Sequence, residues 1–275
     1  MQHKPIRRIQ KISRIKNLQH GIISYFYRNQ NKLRTKKNIF YSGIFLCICC
    51  ISACQKQDAN TNFEYKTLGT AAHALLDSVP FSVLQIQLHY MPGYQPDTGS
   101  INNLVRFLTL HINKPGGIHV MQQQIAANGK PVLSLSDIVK IENNNRTFFT
   151  AYKTITVHML ITDGDYNLPD VFATSYWNTS LCVFGKTIYD NSGGQGQVDR
   201  SILLTTIFEH EFGHLLGLVN QGSPMQASHL DAANGAHCDN SNCLMYYAIE
   251  NYANGNFVPG LDANCRADLK ANGGK

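Results

Sequence analysis

The stretch Ile202-Leu203-Leu204-Thr205-Thr206-Ile207-Phe208-Glu209-His210-Glu211-Phe212-Gly213-His214-Leu215-Leu216-Gly217 decides how this chain is read. Its apolar residues recur at helical spacing and then almost all round, which predicts a buried helix capped by Asp199 or Ser201. His210 and His214 stand four apart, so both imidazoles project from one face of that helix. Two such rings on rigid backbone can hold one zinc ion at about 2.0–2.1 Å. Glu211 follows the first histidine and is placed to take a proton from a water activated at the metal. Gly217 lets the chain turn sharply at the end of the helix. A buried helix carrying two histidines and a glutamate requires partners for them, which favours a built site over a chance pair.

Downstream lie His237-Cys238, four further residues, and Cys243-Leu244-Met245-Tyr246-Tyr247. The pattern His-Glu-x-x-His-x-x-Gly resembles the metzincin zinc proteases. Leu244-Met245-Tyr246-Tyr247 is similar to the methionine turn that lies beneath their metal. Tyr247 matches the place where members such as the astacins carry a tyrosine near the zinc. The His-Cys-x4-Cys-x-Met arrangement resembles archaemetzincins, and the whole combination resembles membrane-anchored bacterial metalloproteases. The resemblance covers about residues 200–247. It implies an α+β domain with a mixed twisted sheet, a long zinc-binding helix and a methionine turn. It implies Zn2+ as cofactor, His210, His214 and His237 as metal ligands, and Glu211 and Tyr247 as catalytic groups, with Tyr246 the alternative to Tyr247. The expected substrate is a peptide or protein. A non-catalytic surface lipoprotein that keeps the fold for binding is the alternative reading, and its simplest mark would be loss of Glu211, which is present.

The sequence departs from that family twice. Metzincins put the third ligand six residues after the second histidine, where this chain has Asn220, and amides are poor zinc ligands. The segment Gln221 to Ala236 then reads as an insertion, and it offers His229 and Asp231 as rivals to His237. Archaemetzincins also complete a second zinc site with a later Cys-x-x-Cys. Here only Cys265 follows, so the sequence points to disulfides among four cysteines, with three possible pairings, of which Cys238–Cys243 with Cys182–Cys265 is favoured.

Outward from this centre, Leu84, Ile86, Leu88 and Tyr90 alternate with polar residues and predict a strand, as do Ile155, Val157, Met159 and Ile161. Ser100 can cap a helix carrying Ile101, Leu104, Val105, Leu108 and Ile112. Ile118 to Gln122 and Thr179 to Tyr189 read as further strands, and Asp137 to Glu142 as a short helix. Thr179 to Phe184 is the strand expected to offer a free edge to an extended substrate. Asp163-Gly164-Asp165-Tyr166-Asn167 opens like a calcium loop but lacks its later glycine and closing glutamate, which favours an ordinary acidic turn.

The chain has 275 residues and a formal net charge of +6. Residues 1–53 hold 11 Lys/Arg and no Asp/Glu, while 54–275 hold 13 Lys/Arg and 18 Asp/Glu, a net of −5. The basic balance is thus N-terminal, and a nucleic-acid role for the body is disfavoured. The basic run ends in an apolar stretch from Ile39 to Ala53, short for a membrane span and reading as a secretory signal, with a short uncleaved anchor the alternative. Ile51-Ser52-Ala53-Cys54 resembles a bacterial lipobox, which implies cleavage before Cys54 and lipidation of its sulfur. The expected organisation is a lipoprotein signal peptide over 1–53, a tether over 54–66 and a metalloprotease domain over 67–275. The expected location is the bacterial cell envelope, lipid-anchored to a membrane.

Overall fold

The computed structural model describes residues 61–248 and 257–275. The expected signal segment and Cys54 lie outside the described residues. No helix of the described residues is long and apolar enough to cross a membrane.

Seven helices are described: α1 (Thr61–Glu64), α2 (Ala72–Leu76), α3 (Thr98–His111), α4 (Leu135–Asn145), α5 (Gly185–Asp190), α6 (Arg200–Leu215) and α7 (Ala263–Ala271). They alternate with β1 (Val83–Tyr90), β2 (Ile118–Gln124), β3 (Val132–Leu133), β4 (Thr154–Thr162), β5 (Asp165–Tyr166), β6 (Ala173–Trp177) and β7 (Ser180–Phe184). The main sheet has the order β2-β1-β4-β7-β6. The first four of these strands run parallel, and only β6 is antiparallel, to β7. The sheet is mixed, as expected, but it is mostly parallel and has helices on both faces. That is α/β layering rather than segregated α+β.

One face of the sheet carries Leu84, Ile86, Leu88, Val157, Met159, Leu181 and Val183, packed with α3 and α6 residues including Leu104, Leu108, Phe208 and Phe212. Burying side chains of this size contributes roughly 1.5–3 kcal/mol each. The opposite face carries Leu160, Cys182, Phe184 and Tyr176 and is covered by α4 through Ile138. Helix α3 begins earlier than Ser100. Asp97 is the cap, its side chain accepting from the Ser100 N–H at 2.8 Å. Helix α4 is longer than expected because Ser134 and Asp137 form a capping box.

Two expectations about strands are corrected. The stretch 179–189 does not continue as one strand, since β7 ends at Phe184 and α5 begins at Gly185. Nor does β7 offer an edge, because it lies between β4 and β6, and β6 is the edge strand on that side of the sheet. The N-terminal stretch expected as tether is engaged with the domain from at least Phe63. Glu64 is fully buried and accepts from the Thr150 N–H at 2.6 Å, and Tyr65 stacks edge-on against Trp177 at 4.5 Å. The Asp163–Asn167 stretch bends at Asp163-Gly164 and continues as the short strand β5, paired with β3. Asp163 accepts from Asn128 at 2.9 Å, and Asp165 accepts from Thr187 at 2.9 Å.

Candidate metal centre

Helix α6 is set by its ends. The Asp199 carboxylate accepts from the N–H groups of Ser201 and Ile202 at its N-terminus. At the other end Gly217 takes φ +84°, with Gly217 N–H donating to His214 O at 3.0 Å and Leu218 N–H to Gly213 O at 3.1 Å. This is a Schellman closure. A Cβ on Gly217 would stand 2.5 Å from Ser223 N and 2.7 Å from Ala72 Cβ, so the turn has room only for glycine. From Leu203 to Leu215 every residue of the helix is buried.

His210 and His214 face each other with Nε2 atoms 3.1 Å apart. His237 closes the group, its ring stacked on His210 at 5.3 Å and edge-on to His214 at 5.0 Å. One ligand atom from each of the three lies within 4.8 Å of the others. His210 Nδ1 donates to Leu244 O at 2.7 Å, which leaves its Nε2 lone pair pointing at the other rings. Burial, then the neighbouring His237, hold His210 down to about 3, and burial first, then His210, keep His214 well below its ordinary value. Neutral imidazoles with facing lone pairs repel unless a cation sits between them. Zinc–nitrogen bonds of about 2.0–2.1 Å at tetrahedral angles put ligand nitrogens roughly 3.3 Å apart, close to the His210–His214 separation. The three residues therefore fit a zinc ion, with a fourth position left open.

Glu211, next to His210 on the helix, is buried, and Ser175 Oγ on β6 donates to its Oε2 at 2.7 Å. Burial pushes Glu211 up to about 7 against the pull of that hydrogen bond. Met245 packs beneath the helix at Gly213, where an added Cβ would meet its Sδ at 2.3 Å. Tyr247 is 37% exposed and its ring lies 4.7 Å from that of Tyr246. Among the described residues it has no hydrogen bond to Glu211 or the histidines. Asn220 takes φ +63° just past the helix.

His229 lies elsewhere, in a second cluster with Cys238, Asp262 and Cys265, whose ligand atoms are also within 4.8 Å of one another. His229 Nδ1 faces Cys238 Sγ at 3.4 Å and Cys265 Sγ at 3.9 Å, and its Nε2 pairs with Asp268 Oδ2 at 2.8 Å. Cys243 Sγ adjoins at 3.6 Å from Cys265 Sγ and accepts from the N–H groups of Met245 and Asp262. The hydrogen bond between Cys243 and Cys265, aided by those two N–H groups, lowers the Cys243 thiol. Such a set, thiols around an imidazole backed by a carboxylate, is the donor chemistry of a closed zinc site.

The expected disulfides are absent. All four described cysteines are free, and Cys182 sits in the sheet, in the core on the opposite face from α6. A 3.6 Å gap is far beyond the roughly 2.05 Å of a sulfur–sulfur bond. His229 joins the thiols because the chain returns on itself. Leu230 bridges Cys238 antiparallel, and Asp239 N–H donates to His229 O at 2.9 Å. Sequence reasoning also missed Ser175, which no spacing signals. For the cysteine cluster the Cys238-x4-Cys243 spacing was the available signal.

No family model matches this chain, and no curated protein does. Among solved structures, archaemetzincin from Methanopyrus kandleri is similar with a TM-score of 0.47 and 14% identity, over 70% of this chain and 96% of that one. Metalloproteinase-II from Bacteroides fragilis is similar with a TM-score of 0.43 and 15% identity, over 79% of this chain, which spans 58% of that protein.

Proposed function

We propose that this chain is a zinc-dependent metallopeptidase that hydrolyses internal peptide bonds. The observation that carries the reading is three imidazoles, His210 and His214 buried and His237 partly buried, with ligand atoms within 4.8 Å of one another, and a buried carboxylate, Glu211, next to His210 on the helix. A zinc ion held there would act as a Lewis acid toward a carbonyl and a water. His210, His214 and His237 would hold it, and the Leu244 carbonyl fixes the His210 tautomer. Glu211 takes a proton from the attacking water and returns it to the leaving amine. Tyr247 supplies a phenol for the charge that develops on the carbonyl oxygen. An extended substrate pairs with the outer edge of β6, the strand that carries Ser175.

The second cluster takes a metal with a structural duty, through His229, Cys238, Cys265 and either Cys243 or Asp262. The export signal and Cys54 support a lipid-anchored location in the bacterial cell envelope, and the net charge of the body supports a peptide partner rather than nucleic acid. A non-catalytic binding role is the second reading, and the presence of Glu211 argues against it.

The test is cleavage of a mixed peptide library by the full chain in detergent, with and without chelator. Chelator-sensitive cleavage that is lost in Glu211→Gln, with zinc retained, is expected. Cleavage that survives Glu211→Gln at the parent's rate refutes the mechanism. If the zinc-loaded chain cleaves nothing, the binding role stands instead.

A further inference from the structure

Strand β6 is fixed from both faces. Its register against β7 runs Ala173↔Val183, Thr174↔Cys182, Ser175↔Leu181 and then slips, so that Trp177 pairs with Ser180. The slip leaves Tyr176 as an extra residue, a bulge beside the candidate site. Tyr176 is driven into the face away from α6, where its Oη donates to Glu142 Oε2 at 2.5 Å. Glu142 is held in turn by Arg146 at 2.7 Å and Ser180 at 2.8 Å, and both charged side chains are fully buried. Arg146 also donates to Thr156 O at 3.0 Å and Thr179 Oγ1 at 3.3 Å, which ties the network to β4 and to the start of β7. The residue before Tyr176 therefore has little freedom of position. That residue is Ser175, on the α6 face, with its hydroxyl 2.7 Å from Glu211 Oε2 and 3.1 Å from the Glu211 carbonyl.

A carboxylate inside a buried helix keeps its rotamer only where something holds it. Among the described residues, Ser175 hydrogen-bonds the Glu211 side chain. A hydroxyl donates one proton, and the shorter contact places it on Oε2. The other carboxylate oxygen, Oε1, takes no part in that contact. We propose that Ser175 is a positioning residue for Glu211. The anchored bulge of β6 sets the hydroxyl, and the hydroxyl sets the base relative to the strand along which substrate lies. This rests on the metallopeptidase reading.

The test compares Ser175→Ala and Ser175→Thr in the parent and in the Glu211→Gln background, using the full chain in detergent. Zinc retention under chelator competition is expected to match the parent in all variants, since Ser175 touches no ligand. Ser175→Ala should lower kcat by about tenfold or more with KM nearly unchanged, the size of one lost hydrogen bond to a charged group. Ser175→Thr, which keeps the hydroxyl, should restore most of the rate. Ser175→Ala should cost nothing further once Glu211 is already Gln. A loss of equal size in both backgrounds, or a loss confined to KM, overturns the proposal. So does Ser175→Thr as impaired as Ser175→Ala.

A readout that does not need turnover is the binding of acetohydroxamic acid to the zinc-loaded chain by calorimetry, since a chelating hydroxamate also hydrogen-bonds an adjacent carboxylate. Its affinity should fall in Ser175→Ala and in Glu211→Gln, and no further in the double variant. Unchanged affinity in Ser175→Ala overturns the positioning role. If that pattern is seen while no peptide is cleaved, Ser175 still positions Glu211 and only the peptidase reading falls.

Discussion

Replacing Gly213 by Ala tests how the zinc helix rests on the turn below it. Two opposed terms set the outcome. In a helix interior Ala is preferred over Gly by about 1 kcal/mol. Against that, the added Cβ would lie 2.3 Å from Met245 Sδ and 3.1 Å from its Cε, inside van der Waals contact, and Met245 is fully buried. Overpacking of this kind costs roughly 1–3 kcal/mol. Gly213→Ala alone should therefore be neutral to destabilising by about 2 kcal/mol. Met245→Ala alone removes a buried side chain and should cost about 2–5 kcal/mol. In that background the clash is gone, because the next atom, Leu218 Cδ1, stands at an ordinary 3.7 Å. There Gly213→Ala should stabilise by about 1 kcal/mol. The cycle thus predicts a coupling of roughly 1–3 kcal/mol, read from urea midpoints of the metal-free chain at constant slope. Met245 shares its turn with Leu244, whose carbonyl accepts from His210. Gly213→Ala should therefore also weaken zinc binding. Additive effects, with Gly213→Ala equally harmful in both backgrounds, would refute the packing argument.

The remaining predictions concern metal content, pH and anchoring. His237→Ala should empty the histidine site and spare the cysteine site, and His229→Ala should do the reverse. Two zinc ions per parent chain falling to one in each variant, by elemental analysis, is the expected outcome, and loss of the histidine-site metal in His229→Ala would move the third ligand into the insertion. Burial pushes Glu209 up to about 8, partly offset by the Arg106 charge. Its folded-state value lies above the unfolded one near 4.5, so the folded chain binds more protons across that window and loses stability as pH rises from about 4.5 to 8. Glu209→Gln should therefore be more stable than the parent at pH 8, by up to roughly 4–5 kcal/mol, with little difference near pH 4. A pH-independent difference between the two chains would count against the burial argument. Cys54→Ala should shift the protein from the detergent to the aqueous phase, and equal partitioning would remove the lipid anchor.

The zinc helix was legible because two periodicities agree in it, the 3.6-residue apolar pattern and the i, i+4 histidine pair. Strands β1 and β4 were legible because each alternates over at least seven residues. Strand β6 was not. Its five residues, Ala173-Thr174-Ser175-Tyr176-Trp177, are mostly half-buried and carry a bulge, so no alternation survives. The consequence reached the site, because the edge strand was assigned one strand too late, to β7. The boundary at Phe184 was hidden for a related reason. Both β7 and the start of α5 are buried, and burial on all sides erases the contrast between faces on which a period depends.

The cysteines show a different limit. An even number of them in an exported chain argues for pairing only if no other donor joins them, and a count cannot show which donors fold nearby. Here the deciding donor is His229, eight residues before His237 and supplied by the segment that breaks the resemblance to metzincin spacing. Its ring is held from behind by Asp268 of α7, close to the chain's end. The insertion therefore does more than lengthen the path from Gly217 to the third ligand. It returns through Leu230 against Cys238, and Cys238 N–H donates to Met245 O at 2.8 Å. His237 is thus positioned by a hairpin whose two sides both end in the cysteine cluster, and that cluster rests on the turn under the zinc helix. The two metal-capable groups share one short piece of backbone, Cys238 being the next residue after His237. Where His237 stands is therefore set by what holds Cys238, and a spacing rule that counts residues from His214 has no access to that.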